Sequence, residues 1–335
     1  MQENPGPQLP YGTQPPSPPA YPYQPPPVPA REPWFLPTPE GARYDHLARV
    51  SDRGPWREIV GTIVVAIAFV VIGALVLFVG AVLATIFGIP APLRPDQLFS
   101  DPVFGLVVVL LSIAAVLPSV FGTVAIVQRR RPGSLSSVAG RLRWPWLLRC
   151  LALAVIALAL GQAAQAVAMM VTGEGKQVTD MFGWAGWSAF LPSLIAIALL
   201  VPFQAAAEEY IFRGWILQAF GAHLRNPIWG ILLGSALFAA LHGYSWEGLI
   251  DVFSFGALMG WLAVRTGGLE APIALHVTNN ILAFGLSAAA GQLDKALQQG
   301  EVPWQALAGT VVQLSAFAVG VMYLAKKRSV GTVSG

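Results

Sequence analysis

The sequence predicts an all-α, polytopic membrane protein with about eight transmembrane helices and both termini cytoplasmic. Three observations carry this. Hydrophobic residues make up 55% of the 335 residues and charged ones only 11%, where soluble domains average roughly 25% charged. Mean hydropathy is +0.61. The apolar residues come in runs of membrane length, and the loops between them alternate between basic and neutral or acidic.

The elements follow in chain order. Residues 1–40 hold 15 of the 28 prolines, among Gln, Tyr, Ser and Gly. Such a segment cannot bury a core, and it reads as a disordered tail of polyproline II character. A proline-recognition partner for the tail is the functional alternative. The tail has no apolar core segment, so no cleavable signal peptide is expected and the first span serves as its own insertion signal. Residues 41–57 form a basic juxtamembrane segment with Arg43, Arg49, Arg53 and Arg57. A helix needs about 20 apolar residues to span a bilayer. By that rule the spans are 59–88, 103–127, 146–172, 188–212, 227–242, 248–264, 270–290 and 304–325. They group as three N-terminal helices (58–187), a four-helix core (188–290), and a last helix with a basic tail (291–335). The loop after the second span holds Arg129, Arg130, Arg131, Arg141 and Arg143, and the C-terminus holds Lys326, Lys327 and Arg328. The opposite loops carry Arg94, Lys176 and Lys295, each among acidic residues. Positive charge favours the cytoplasm, which sets the orientation. The lone cysteine, Cys150, opens an apolar run and excludes an intrachain disulfide.

Three polar clusters interrupt the later spans. The first is Glu208-Glu209-x-x-x-Arg213. On a helix Glu209 and Arg213 share a face and can pair. Glu208 points roughly 100° away, free to act as a general base. The plain alternative is a surface ion pair at a helix end. The second is Phe238-x-x-x-His242, where the plain alternative is a buried histidine with one partner. The third is His276-x-x-x-Asn280, a pair that can donate two hydrogen bonds to an oxyanion or stitch helices together. The chain has four histidines, and two of them lie in these clusters. Ionisable groups at membrane depth are costly and persist where they pair or line a cavity. A carboxylate, two histidines and an amide suffice to hydrolyse a peptide bond. In one route Glu208 and His242 activate water while His276 and Asn280 hold the oxyanion. In the other, Glu208, His242 and His276 hold zinc, which acidifies the water. The His-Glu-x-x-His helix of common zinc peptidases is absent.

The three motifs, in this order on successive spans, resemble the CPBP family of CAAX prenyl proteases of the type II kind and bacteriocin-processing or self-immunity proteins. The resemblance covers about 188–290, including the approach Gly268-Leu269-Glu270-Ala271-Pro272 to the last motif. It implies an intramembrane endopeptidase in which Glu208 and His242 position the water and His276 and Asn280 stabilise the oxyanion. Glu209 and Arg213 support the site, and Phe238 shapes its wall. Both a metalloprotease and a metal-free glutamate mechanism are implied. The implied substrates are a prenylated C-terminal tail, a membrane-anchored peptide or a small exported peptide, reached through a cavity open to the cytoplasm. The resemblance also implies the cytoplasmic membrane of a bacterial cell, where a prenylated substrate ranks last. The alternative from another class is a non-catalytic immunity or scaffold protein on the same fold. A coupled transporter is disfavoured because the first half does not repeat the motifs. No nucleic-acid or dinucleotide motif occurs.

A simple topology sets the motifs at different depths. Glu208 ends its apolar run near the basic side. His276 lies about 9 Å into its span, and His242 lies about 22 Å from the start of its own. A shared site therefore requires the fourth helix to continue to about Gly221 and Glu208 to lie within about 10 Å of His242, close to one-water reach.

Overall fold

The structure, a computed structural model, describes residues 1–4, 6, 12, 33–50, 54–95, 97–176 and 183–335. It divides into two units, 1–33 and Trp34–Gly335. In the first unit none of the described residues lies in a helix or strand. The expectation for the proline-rich tail falls mainly outside the described residues, as does Arg53.

The second unit is helical. The helices are α1 (Trp56–Ile86), α2 (Pro102–Ala114), α3 (Leu117–Ile126), α4 (Trp144–Val171) and α5 (Trp187–Glu209). A π-helical stretch, Tyr210–Ile216, leads into α6 (Leu217–His223). Then come α7 (Ile228–Ala240), α8 (Trp246–Thr266), α9 (Glu270–Ala289), α10 (Leu293–Gln298) and α11 (Ala306–Lys327). Asp101 caps α2 by accepting from the Val103 and Phe104 amides. Pro118 lacks an amide proton and follows the break between α2 and α3, which together form one span.

Among the described residues six helical segments are long and apolar enough to cross a membrane. Two of the eight expected spans are not among them. α7 has 13 residues, about 20 Å of helix, too short for a core of roughly 30 Å. It stops where residues 243–245 turn and bond to residues 299–300, and non-helical backbone at depth is tolerated where protein buries it. α9 has 20 residues, but the polar residues of the third motif run through it. The fourth span departs in the other direction. From α5 to α6 the helical chain runs 37 residues, Trp187–His223, past the Gly221 required for a shared site. The π-helical stretch lies just after the glutamate pair, a position where such widened turns commonly mark function.

Hydrogen bonds define the two ends of the bundle. At one end Arg49 donates to the Gly221 and Leu224 carbonyls, and Arg43 to that of Arg225. Arg143 grips Glu270 and the carbonyls of Thr266 and Gly331. The loop at Ser136 joins the start of α9 through Leu269. The arginine-rich loops and the lysine pair at the end of α11 thus share one face. At the opposite end Arg94 pairs with Asp294 at 2.8 Å, Ser245 bonds to Val302, and Gln305 bonds to Thr172.

α4 packs closely against α11, and two glycines set the spacing. A Cβ at Gly161 would meet Gln313 Cβ at 2.7 Å and the Gly309 carbonyl at 3.0 Å. Small residues let membrane helices approach where no hydrophobic drive separates lipid from protein. Gly161→Leu is therefore expected to force α4 from α11 and cost about 1–3 kcal/mol or more. Thermal unfolding in detergent checks this, and an unchanged midpoint would show that the contact is not tight.

Candidate active site

The long fourth span brings the glutamates to the other two clusters. Glu209 ends α5 fully buried. Its Oε1 accepts from Arg213 Nη1 at 2.9 Å, the expected i, i+4 pair. The same oxygen meets His276 Nδ1 at 2.7 Å. His276 Nε2 lies 3.2 Å from Glu208 Oε2. The ring of His276 therefore bridges the two adjacent carboxylates, which a helix points in different directions. Glu208 does not stand alone, and neither nitrogen of His276 is open.

Phe238 forms the centre of the site. Its ring meets His242 edge-on at 4.7 Å and His276 at 5.8 Å between centroids. The Arg213 guanidinium lies over it at 4.2 Å, a cation–π contact. His242 sits just beyond α7. Its Nδ1 is 2.7 Å from the Phe238 carbonyl. An N–H there leaves Nε2 as the acceptor. Glu208 is within Coulombic range of both imidazoles. Asn280 lies one turn beyond His276 on α9 and donates to Gln204 Oε1 at 2.9 Å.

His242, His276, Asn280 and Phe238 line a cavity of about 420 Å³. Its other walls come from α4, α8 and α11, with Gln162, Gln165, Asp251, Thr310 and Gln313. Asp251 accepts from the Thr310 hydroxyl at 2.7 Å, and Asn279 accepts from Gln313 at 2.7 Å. The cavity was expected to open on the basic, cytoplasmic side. Its lining runs the other way, from His276 and Phe255 to Tyr244, Gln292 and Val302 at the opposite end. The physical reason is helix direction: α9 leaves the basic face at Glu270, and its cavity-lining residues lie at His276 and beyond.

The structure thus brings together all seven residues singled out by the motifs. Sequence reasoning missed Gln204, which holds Asn280, and the amide and hydroxyl wall on α4 and α11. Polar residues inside apolar spans were the available signal. Phe255, stacked edge-on against His276 at 5.4 Å, carried none. A zinc site does not fit this arrangement. Among the described residues no group of three or more His, Cys, Asp or Glu side chains could hold a metal ion, and both nitrogens of His276 face carboxylates.

Arg213 Nη2 is buried with no hydrogen-bond partner among the described residues. A Cβ at Gly256 would meet that atom at 2.7 Å and Ser235 at 3.1 Å. The guanidinium is held by Glu209 and the Phe238 face, so it has little room to yield. Gly256→Ala is expected to cost about 1–3 kcal/mol, read as a lower unfolding midpoint in detergent. No shift would mean that Arg213 is free to move.

Part of the chain also matches a known family. Residues 187–282 match the Rce1-like family, described as type II CAAX prenyl endopeptidase Rce1-like. The Rce1-like segment holds all three motifs, in agreement with the resemblance they carry. It leaves out α4 and α11, which supply much of the cavity wall. The chain is 37% identical over 102 residues to the "Uncharacterized protein YyaK" of Bacillus subtilis (strain 168), covering 28% of this chain and 34% of that protein. It is 30% identical over 147 residues to an "Uncharacterized 24.3 kDa protein" of Escherichia coli, covering 42% of this chain and 64% of that one. The chain therefore spans about one third and just under two thirds of these two relatives. No solved structure matches.

Proposed function

We propose that this multi-pass membrane protein is an intramembrane endopeptidase of a bacterial cell membrane, without a required metal. Its substrate is a membrane-anchored or small peptide. A water held between the Glu208 carboxylate and His242 Nε2 attacks the scissile carbonyl. Its proton passes to this pair and on to the leaving amine. The Asn280 amide and the His276 ring stabilise the oxyanion. Glu209 and Arg213 hold His276 in place and act as positioning residues. The low-dielectric walls strengthen each of these interactions.

The observation that supports this most is the Glu208–His276–Glu209 bridge, whose His276 lines a cavity together with His242 and Asn280. Burying two carboxylates at membrane depth is costly without a task for them. The test compares peptide termini in membranes from cells carrying wild-type protein or Glu208→Gln at matched abundance. Termini present with wild type and missing with the variant are expected. Identical profiles would overturn the peptidase and favour an immunity or scaffold role.

A further inference from the structure

We propose that the site is served from the non-cytoplasmic side of the membrane, and that its substrate is a peptide segment displayed or released there. This rests on the peptidase reading and names its substrate class.

Two independent observations carry it. The first is the direction of the cavity. Among the described residues, none of those that line it falls in the basic-face segments 128–143, 210–227, 265–270 or 326–335. The lining instead follows α9 from His276 through Asn280 to Ser287, roughly 16 Å at 1.5 Å per residue, and continues to Gln292 in the turn beyond the helix. It ends among loops that carry Tyr244 and Val302. Between the site and the basic face lie buried and paired side chains of the described residues. Glu209 and Arg213 are buried. Tyr210 and Ser136 are joined by a 2.7 Å hydrogen bond, and Glu270, fully buried, is gripped by Arg143 at 2.7 Å. These contacts tie the 132–143 loop, the π-helical stretch and the start of α9 into one floor.

The second is charge. The floor face carries the arginine-rich loops, whereas the mouth face sets Arg94, Lys176 and Lys295 among Asp101, Glu174, Glu247, Asp294 and Glu301. Basic loops stay in the cytoplasm during insertion. The floor is therefore cytoplasmic and the mouth is not. The wall chemistry suits an extended peptide arriving from that mouth. Gln162, Gln165, Asn279 and Gln313 offer amides along the path, which match the alternating donors and acceptors of a peptide backbone. A tail made and held in the cytoplasm would meet the floor.

Single-cysteine labelling tests this without relying on cleavage. The native Cys150 is fully buried and is replaced by serine. Ser287→Cys, a conservative change within the cavity, and Gln292→Cys, near its mouth, are placed separately in the full chain. Ser329→Cys marks the basic face. Spheroplasts and inverted membrane vesicles are treated with a charged, membrane-impermeant maleimide. The cavity cysteines are expected to label in spheroplasts and not in inverted vesicles, with Ser329→Cys showing the reverse. Cavity cysteines that label from the vesicle side, together with or without Ser329→Cys, would overturn the proposal. Gln292→Cys gives the same answer if Ser287→Cys fails to fold. The peptidase reading fails separately, by unchanged termini in Glu208→Gln, whichever side labels.

Discussion

Purified protein carrying Glu208→Gln is expected to hydrolyse its peptide substrate on the order of 10³-fold more slowly than wild type, within the range of a lost general base. At 1.36 kcal/mol per tenfold this is about 4 kcal/mol of transition-state stabilisation. The loss should fall on kcat, because the amide keeps the shape of the side chain and only its basicity goes. Glu208 Oε2 also lies 3.2 Å from His276 Nε2. An amide oxygen can still accept that hydrogen bond, so the fold should hold. The unfolding midpoint in detergent should therefore move little. A variant that keeps wild-type kcat would remove Glu208 from the chemistry. One that unfolds during purification would show that the carboxylate serves the fold instead.

The largest effect on stability is expected at Arg213. Its guanidinium is 2% exposed and pairs with a fully buried carboxylate. Arg213→Met removes the cation and leaves Glu209 with His276 as its remaining partner. Breaking a buried pair from one side costs about 3–5 kcal/mol. The lower end is expected here, since His276 still meets Glu209 Oε1 at 2.7 Å. The decisive comparison is a double-mutant cycle. Glu209→Gln combined with Arg213→Met leaves no orphaned charge and should recover much of the loss. A single variant within about 0.5 kcal/mol of wild type would match an ordinary surface substitution and sink the argument. So would a double variant no more stable than Arg213→Met alone.

How much of this was legible beforehand differs by feature. The helical class followed from run length and composition, because the bilayer acts on each segment separately. The Glu209–Arg213 pair followed from helical spacing, since i and i+4 are neighbours in any α-helix. The need for α5 to continue beyond its apolar run followed from depth alone. Of the eight expected spans, six are long and apolar enough among the described residues to cross a membrane. A hydropathy sum marks residues 227–242 as apolar, but it cannot see that α7 ends halfway, where residues 243–245 bond to the loop before α11.

The sequence by itself determined which residues are chemically able to act: the two glutamates, His242, His276 and Asn280, set on helices that the apolar runs define. Only the tertiary structure decided how they pair and which way they face. It placed His276 between Glu208 and Glu209, with Gln204 against Asn280. It walled the cavity with α4 and α11 and tied the basic side together through Arg143, Glu270 and Ser136. The physical reason is range. Helical periodicity and hydropathy are set within a turn or a span of chain. A contact between residues 67 apart, such as Glu209 with His276, depends on the tilt, depth and close packing of whole helices.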